Sequence, residues 1–218
     1  MFNHETNFDL PELSAELTEK GRFYTTPNGD VYPSVTTVIG HGTDKSFIQR
    51  WRDRVGDVEA DKVLAQANRR GTAVHEICEQ YLKNDPLYKK GHMPVNIANF
   101  LDMKPHLDKH ITTVGGLEIP LYSDKFRVAG RVDCLAKWDN EWAIVDFKTS
   151  RRVKKHEEIH GYFMQASCYA YMVYERTNVV PKNIVIVMSV DDSDSLVFIE
   201  KARDWLPKFV VVRNSVDL

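Results

Sequence analysis

The sequence predicts an α/β fold on a mixed central sheet, in the order αβββαβ, with flanking helices and an N-terminal hairpin and helical appendage. Three observations carry this. Apolar residues recur at three- and four-residue steps between Lys45 and Leu82, the period of a helix face. The period then changes to two over residues 117–149, and a helical period returns from Glu157 to Glu175 before two further strands. Helix, three-stranded meander, helix and strand in that order call for a sheet with both parallel and antiparallel neighbours.

The elements follow in order. Asn28-Gly29, between Arg22–Thr26 and Val31–Tyr32, is a strong hairpin signal. Ser34 caps a short helical stretch through Ile39, closed by Gly40 and Gly42. From Lys45 to Leu82 the pattern is helical with a break near Gly56, and Val63, Leu64, Ala67, Val74, Ile77, Cys78 and Tyr81 recur at the steps of a helix face. Gly71 inside that helix implies close packing or close approach of a ligand. Asn84-Asp85-Pro86 ends the helix, and residues 96–110 suit another. Strands follow at 117–122, 126–138 and 142–149, joined by polar turns. After the helix at 157–175 come strands 184–190 and 196–200, separated by the acidic turn 191–194. Residues 1–45 read as an N-terminal extension and hairpin, and 46–218 as the main domain of a single folding unit.

Composition narrows the function classes. The 218 residues are 43% apolar, with 29 Lys+Arg against 31 Asp+Glu, which disfavours a protein holding nucleic acid by bulk positive charge. Cys78, Cys134 and Cys168 are far apart with no CxxC pair, which speaks against a disulfide framework, a zinc ribbon or a four-cysteine iron–sulfur cluster. The longest apolar run, Ile184 to Met188, is far too short for a bilayer, so no membrane partner is expected. The first 20 residues carry Glu5, Asp9, Glu12, Glu16 and Glu19 without a leader pattern, and a reducing cytosol is the expected compartment.

Asp146 and Lys148 lie two apart on a strand, so both side chains leave one face, together with Ile144, while Val145 and Phe147 point the other way. Alone, such a pair reads as a salt bridge at a solvated strand end. Asp133, in the preceding strand, changes this, because the intervening turn brings the two aspartates near each other across the ladder. Neighbouring carboxylates raise each other's pKa unless a cation lies between them. Hard oxygen ligands suit Mg²⁺ or Mn²⁺, and a lysine alongside can hold a phosphate oxygen or assist a water. Hydrolysis of a phosphodiester by a metal-activated water is the chemistry such an assembly fits.

Gly71-xxx-His75, Gly130-Arg131-Val132-Asp133, Asp146-Phe147-Lys148-Thr149 and Gln165-xxx-Tyr169 occur in this order. Together they resemble the RecB-type branch of the PD-(D/E)xK nuclease superfamily, over roughly residues 30–190. The run Tyr32-Pro33-Ser34-Val35-Thr36-Thr37 is similar to the opening of the mitochondrial genome-maintenance exonucleases and their phage relatives. The resemblance implies a restriction-endonuclease-like core and a metal-dependent DNA exonuclease acting on single strands or ends. It implies Asp133 and Asp146 as metal ligands, with the Phe147 carbonyl a further one, Lys148 as the catalytic lysine and His75 as a contributor to the metal site. Glu118 resembles an acidic position some members use near the metal. Gln165 and Tyr169 resemble a motif lining the site and touching DNA. The proline of the family name is absent, since Val132 precedes Asp133, and the cysteines that frame a cluster in some relatives are missing, so no iron–sulfur cluster is expected.

Other readings attach to the same residues. His75-Glu76-Ile77-Cys78-Glu79 superficially matches the HExxH zinc motif, but Glu79 replaces the second histidine. The site would equally serve an endonuclease or flap-cutting enzyme. A non-catalytic DNA-binding protein on the same fold would be expected to have lost a ligand or the lysine, and none is lost. The aromatic residues Tyr162, Phe163, Tyr169, Tyr171 and Tyr174 read mostly as core. Five cations and no acid fall between Lys148 and Lys155, so Thr149, Ser150, Arg151 and Arg152 are candidate backbone contacts. Arg50, Arg52, Arg54, Arg69 and Arg70 would form the opposite wall. A stand-alone enzyme in bacterial or phage-infected host cytosol is the expectation.

Overall fold

The computed structural model describes residues 1–5, 8, 10–44 and 46–218; Asp9 and Lys45, named above, lie outside them. First come β1 (Asn3–His4) and a small antiparallel sheet of β2 (Ser14–Thr18), β3 (Gly21–Thr25) and β4 (Val31–Pro33). Helices α1 (Val35–Gly42), α2 (Ser46–Val55), α3 (Asp57–Leu82) and α4 (Pro94–His110) follow. The meander is β5 (Ile111–Ser123), β6 (Val128–Trp138) and β7 (Glu141–Ser150). A 3₁₀ turn (His156–Ile159) leads into α5 (His160–Thr177), and the chain ends with β8 (Asn183–Val190), β9 (Ser193–Lys201) and α6 (Ala202–Asn214).

Among the described residues the main sheet is six-stranded, in the order β1-β5-β6-β7-β8-β9. It is mixed: β5-β6-β7 and β8-β9 pair antiparallel, whereas β7-β8 and β1-β5 pair parallel. The parallel step from β7 to β8 needs a crossover, which α5 supplies. Both faces are covered. Val74, Ile77 and Cys78 of α3 and Phe100, Met103 and Leu107 of α4 pack on one face, against Cys134, Val145, Phe147, Val185 and Val187. Phe163, Ala166, Ala170 and Val173 of α5, with Trp205 and Phe209 of α6 and Val35 and Val38 of α1, pack on the other. A central strand covered on two sides loses its polar alternation, which is why Ile184–Met188 is apolar throughout and buried.

Several boundaries differ from the sequence expectation for local reasons. The expected start of α5 at Glu157 falls in the 3₁₀ turn, and the regular helix begins at His160. Strand β5 begins six residues before 117, with register shifts after Ile111 and Val114 that break its period of two. Gly115 sits where an added Cβ would lie 2.7 Å from the Trp142 ring, so it serves packing in the strand. Helix α1 runs on to Gly42, where an added Cβ would approach Val212 of α6 to 2.5 Å; the glycine there permits helix contact inside the element. The acidic turn is shorter than expected, since β9 starts at Ser193. The break at Gly56 stands as expected, at φ 84°, between α2 and α3.

Candidate metal centre

Strands β6 and β7 pair from Trp138↔Glu141 to Cys134↔Val145, and Asp133 and Asp146 are the next residues along. There the side chain takes over from the ladder: Asp133 Oδ2 accepts the backbone N–H of Phe147 at 3.0 Å. On the other side of β6, Leu117 pairs with Cys134 and Ile119 with Val132, which sets Glu118 opposite Asp133. Glu118 has φ 51°, the left-handed region that glutamate rarely occupies. The consequence is visible in the core. Leu117 packs with the α3/α4 layer and Ile119 with the α5 layer, although residues two apart on a regular strand share a face. Such local strain is concentrated at functional sites.

His75 descends from α3 to the same point, its Nδ1 3.3 Å from Asp133 Oδ2. One ligand atom each from His75, Glu118 and Asp133 lie within 4.8 Å of one another. The grouping is electrostatically uncomfortable: burial, then the charges of Asp133 and Glu79, push the Glu118 carboxyl up to about 7.

Asp146 stands beside this group. It is 2% exposed, and its Oδ2 lies 2.5 Å from Lys148 Nζ, yet that oxygen receives no well-directed hydrogen bond. Burial raises the Asp146 carboxyl to about 6 and Asp133 adds to this, while Lys148 pulls against both. For Lys148, burial works to lower the ammonium pKa, but Asp146 and Asp133 outweigh it and the net direction is upward. The Lys148 ammonium also lies 5.1 Å from the centre of the Tyr162 ring. A buried carboxylate oxygen without a directed partner, next to three converging ligand atoms of carboxylate and imidazole type, fits a hard divalent cation.

His75, Glu118 and Asp133 line a cleft of ≈ 710 Å³, whereas Asp146 and Lys148 do not line it. Its far wall is the small N-terminal sheet, which contributes Arg22 and Tyr24, with Ser34 and Thr36 beside them. Arg131 fastens that wall, pairing with Glu12 at 2.5 Å and donating to the Glu118 carbonyl at 2.7 Å. Gln165 and Tyr169 of α5 also line the cleft. The Tyr169 ring fits because residue 130 is glycine: an added Cβ would lie 2.7 Å from the ring. Burial and Asp133 hold the Tyr169 hydroxyl well above the ordinary tyrosine range, against a hydrogen bond with Gln165. Glu76, Glu79 and Arg131, which sequence reading did not assign to the site, line it as well. Glu79 was accessible as the residue one helical turn after His75.

The structure places the remaining candidate residues as follows. Gly71 lines the cleft, but an added Cβ there would meet nothing within 4 Å, so close packing is not its reason. Phe147 offers Asp133 its backbone N–H while its side chain is core. Thr149 is half-buried on β7. The Ser150 hydroxyl is buried and donates to the Arg152 carbonyl, closing its own turn. Arg151 reaches Gln66 at 2.9 Å, and Arg152 pairs with Glu158. The expected arginine wall is thinned: Arg52 pairs with Asp57 and Asp61, and Arg70 with Asp191. Arg50 and Arg54 instead share a groove with Arg152 and Lys154.

A mixed sheet with helices on both faces, its two central strands carrying acidic groups beside a histidine and a lysine, is the architecture of a restriction-endonuclease-like core. The sequence pattern of the PD-(D/E)XK nuclease superfamily matches residues 89–203, just over half of the chain, and the chain belongs to that superfamily. The match includes Glu118, Asp133, Asp146 and Lys148, while His75 lies before it. Over 132 residues the chain is 24% identical to Mitochondrial genome maintenance exonuclease 1 of Homo sapiens, covering 57% of this chain and 38% of that protein. It is 26% identical over 159 residues to the Xenopus tropicalis protein of the same name, covering 70% of this chain and 44% of that protein. The chain thus spans about two fifths of the length of these relatives. A crystal structure from Eubacterium rectale with a provisional exonuclease designation is 14% identical, with a TM-score of 0.44 over 68% of this chain and 69% of that one. Among the described residues no helix is long and apolar enough to cross a membrane.

Proposed function

We propose that this protein is a divalent-metal-dependent DNA exonuclease that hydrolyses phosphodiester bonds at single strands or DNA ends without sequence preference, with Mg²⁺ or Mn²⁺ as the cation. The observation that carries this is the convergence of His75, Glu118 and Asp133 within 4.8 Å, beside the buried Asp146–Lys148 pair. The similarity to two exonucleases supports it at the level of the reaction.

His75, Glu118, Asp133 and Asp146 would hold the cation, with the Phe147 carbonyl a further donor. A cation bound there supplies Lewis acidity and a water of lowered pKa. Lys148 has two tasks: it compensates the buried Asp146, and its ammonium donates to a phosphate oxygen or the attacking water. Tyr169 keeps its proton and so acts as a hydrogen-bond donor at the cleft wall. Gln165 lines the same wall. The phosphate-tracking contacts fall to Thr149 and Arg151, where the backbone leaves β7, whereas the Ser150 hydroxyl is committed to its own turn and Arg152 to Glu158.

The test is cleavage of 5′- and 3′-labelled single strands, duplexes and covalently closed single-stranded circles, with Mg²⁺ or Mn²⁺ and with chelator. Linear strands are expected to shorten from an end, circles to survive, and chelator to stop the reaction. Asp146→Asn and Lys148→Ala are expected to lower kcat by about 100-fold or more while single-strand binding persists. Cut circles would make the enzyme an endonuclease. Undiminished cleavage in both variants would remove the catalytic assignment.

A further inference from the structure

Helix α5 has a second working face. Gln165 and Tyr169 look into the metal cleft, whereas Ala170, Tyr171 and Tyr174 line a separate cavity of ≈ 360 Å³, closed by the 180–182 segment and the first turns of α6. Part of its apolar lining reaches solvent: Tyr174 is 46% and Val180 56% exposed. The depth is set by Ala170 and Ala202, both buried, with Leu206 on the far side. This volume is at the small-ligand end of the range for binding pockets and admits one or two apolar side chains.

The rim supplies the charge. Lys182, Lys201 and Arg203 line the cavity, and no carboxylate does. Acids do stand close outside, Glu141 at 3.7 Å from Lys182 and Asp204 at 3.5 Å from Arg203. Both are exposed pairs at long range, which contribute little and re-pair easily. Lys201 rests on the neutral Asn183 side-chain carbonyl at 2.7 Å. We propose that this cleft is a docking site for a short acidic segment of a partner protein, anchored by an apolar side chain. The anchor fills the cavity between the two helices while the flanking carboxylates meet the three cations. Apolar burial supplies affinity and the cations supply orientation and steering. The depth of the cavity is aliphatic, set by Ala170, Ala202 and Leu206, which suits an apolar side chain better than a nucleic-acid base that would stack on an aromatic platform.

The experiment uses the full chain in chelator, so it is independent of whether the protein cuts DNA. The probe is a fluorescein-labelled peptide of four aspartates followed by Leu-Phe, read by anisotropy, against the same peptide with four lysines. Saturable binding of the acidic probe is expected, weakened at about 0.5 M salt. Val180→Asp, and Lys182→Glu with Arg203→Glu, change exposed residues and are expected to weaken it by at least about tenfold. No saturable binding, equal binding of the lysine peptide, or unchanged affinity in the variants would overturn the proposal. So would displacement of the probe by oligothymidylate, or a sedimenting dimer that Val180→Asp dissociates.

Discussion

Lys148 is held by two neighbours, the Asp146 carboxylate at 2.5 Å and the face of the Tyr162 ring at 5.1 Å. The ring's negative face favours the ammonium where few waters reach it. Tyr162→Phe keeps the ring and is expected to retain cleavage within about twofold, whereas Tyr162→Leu lowers kcat about tenfold with KM little changed. Equal rates in the two variants would show the ring to be mere packing. The carboxylates give a second expectation. Glu118 and Asp146 sit at about 7 and about 6, above the ordinary carboxylate range, so folding favours their protonated forms. Stability from that preference is present at low pH and is lost as pH rises through about 6 and then about 7. Metal-free protein is therefore expected to melt at falling temperature from pH 5 to pH 8, and the rise in Tm on adding Mn²⁺ grows over the same range. Glu118→Gln should remove the part of both trends between about pH 6 and pH 7 and leave the part due to Asp146; an unchanged trend above pH 6 in that variant would remove Glu118 from the cluster. Asp146, Lys148 and Asp133 were legible because a period of two puts charged residues where a central strand should be apolar. The grouping of Glu118 with His75 was not legible from spacing, since it depends on a left-handed glutamate that reverses the strand's faces.

At the scale of elements, β6 and α5 are fitted to each other through Gly130 and Tyr169. An added methyl at 130 would lie 2.7 Å from a ring that is 3% exposed and so has nowhere to swing. Gly130→Ala is expected to destabilise the fold by about 1–3 kcal/mol, the usual range for overpacking. Adding Tyr169→Leu should recover part of that loss in a double-mutant cycle without recovering cleavage. Strictly additive losses in denaturant melts would separate the two residues. Elements with a regular apolar period were readable: the meander, α3 and α5 are covered by packed layers that impose it. Strand β2 was not, because all five of its residues are exposed and carry no alternation. Helix α6 escaped for another reason. Pro207 lies inside it and Val210–Val212 is a β-branched run, so propensity argues for a break and a strand, while Trp205 and Phe209 buried against α5 decide for a helix.

At the scale of the molecule, a chain with 29 basic and 31 acidic side chains has to hold a polyanion by placement of charge. The placement is local: Arg50, Arg54, Arg152 and Lys154 line a groove of ≈ 580 Å³ with Phe47 and Trp51, and no acid lines it. Only part of that charge is free. Arg152 pairs with Glu158, whose carboxyl it holds down at about 2, so the pair stays ionised at any working pH. Arg52 and Arg70, equally basic in sequence, spend their charge on Asp57, Asp61 and Asp191. Composition and spacing could not separate these two classes of arginine: Arg70 meets an acid 121 residues away along the chain, and Arg52 meets Asp57 and Asp61 only because the break at Gly56 turns α3 back towards α2. The separation is measurable. With Lys148→Ala protein in chelator, Arg54→Gln plus Lys154→Gln is expected to weaken single-strand binding and reduce the slope of log K against log salt by roughly 1.4, about 0.7 per phosphate contact. Arg52→Gln plus Arg70→Gln should leave the slope unchanged, since those guanidiniums release no counterions when DNA arrives. Equal slopes for the two double variants would mean that the strand does not cross this groove, and that the net-acidic surface is bridged at some other point.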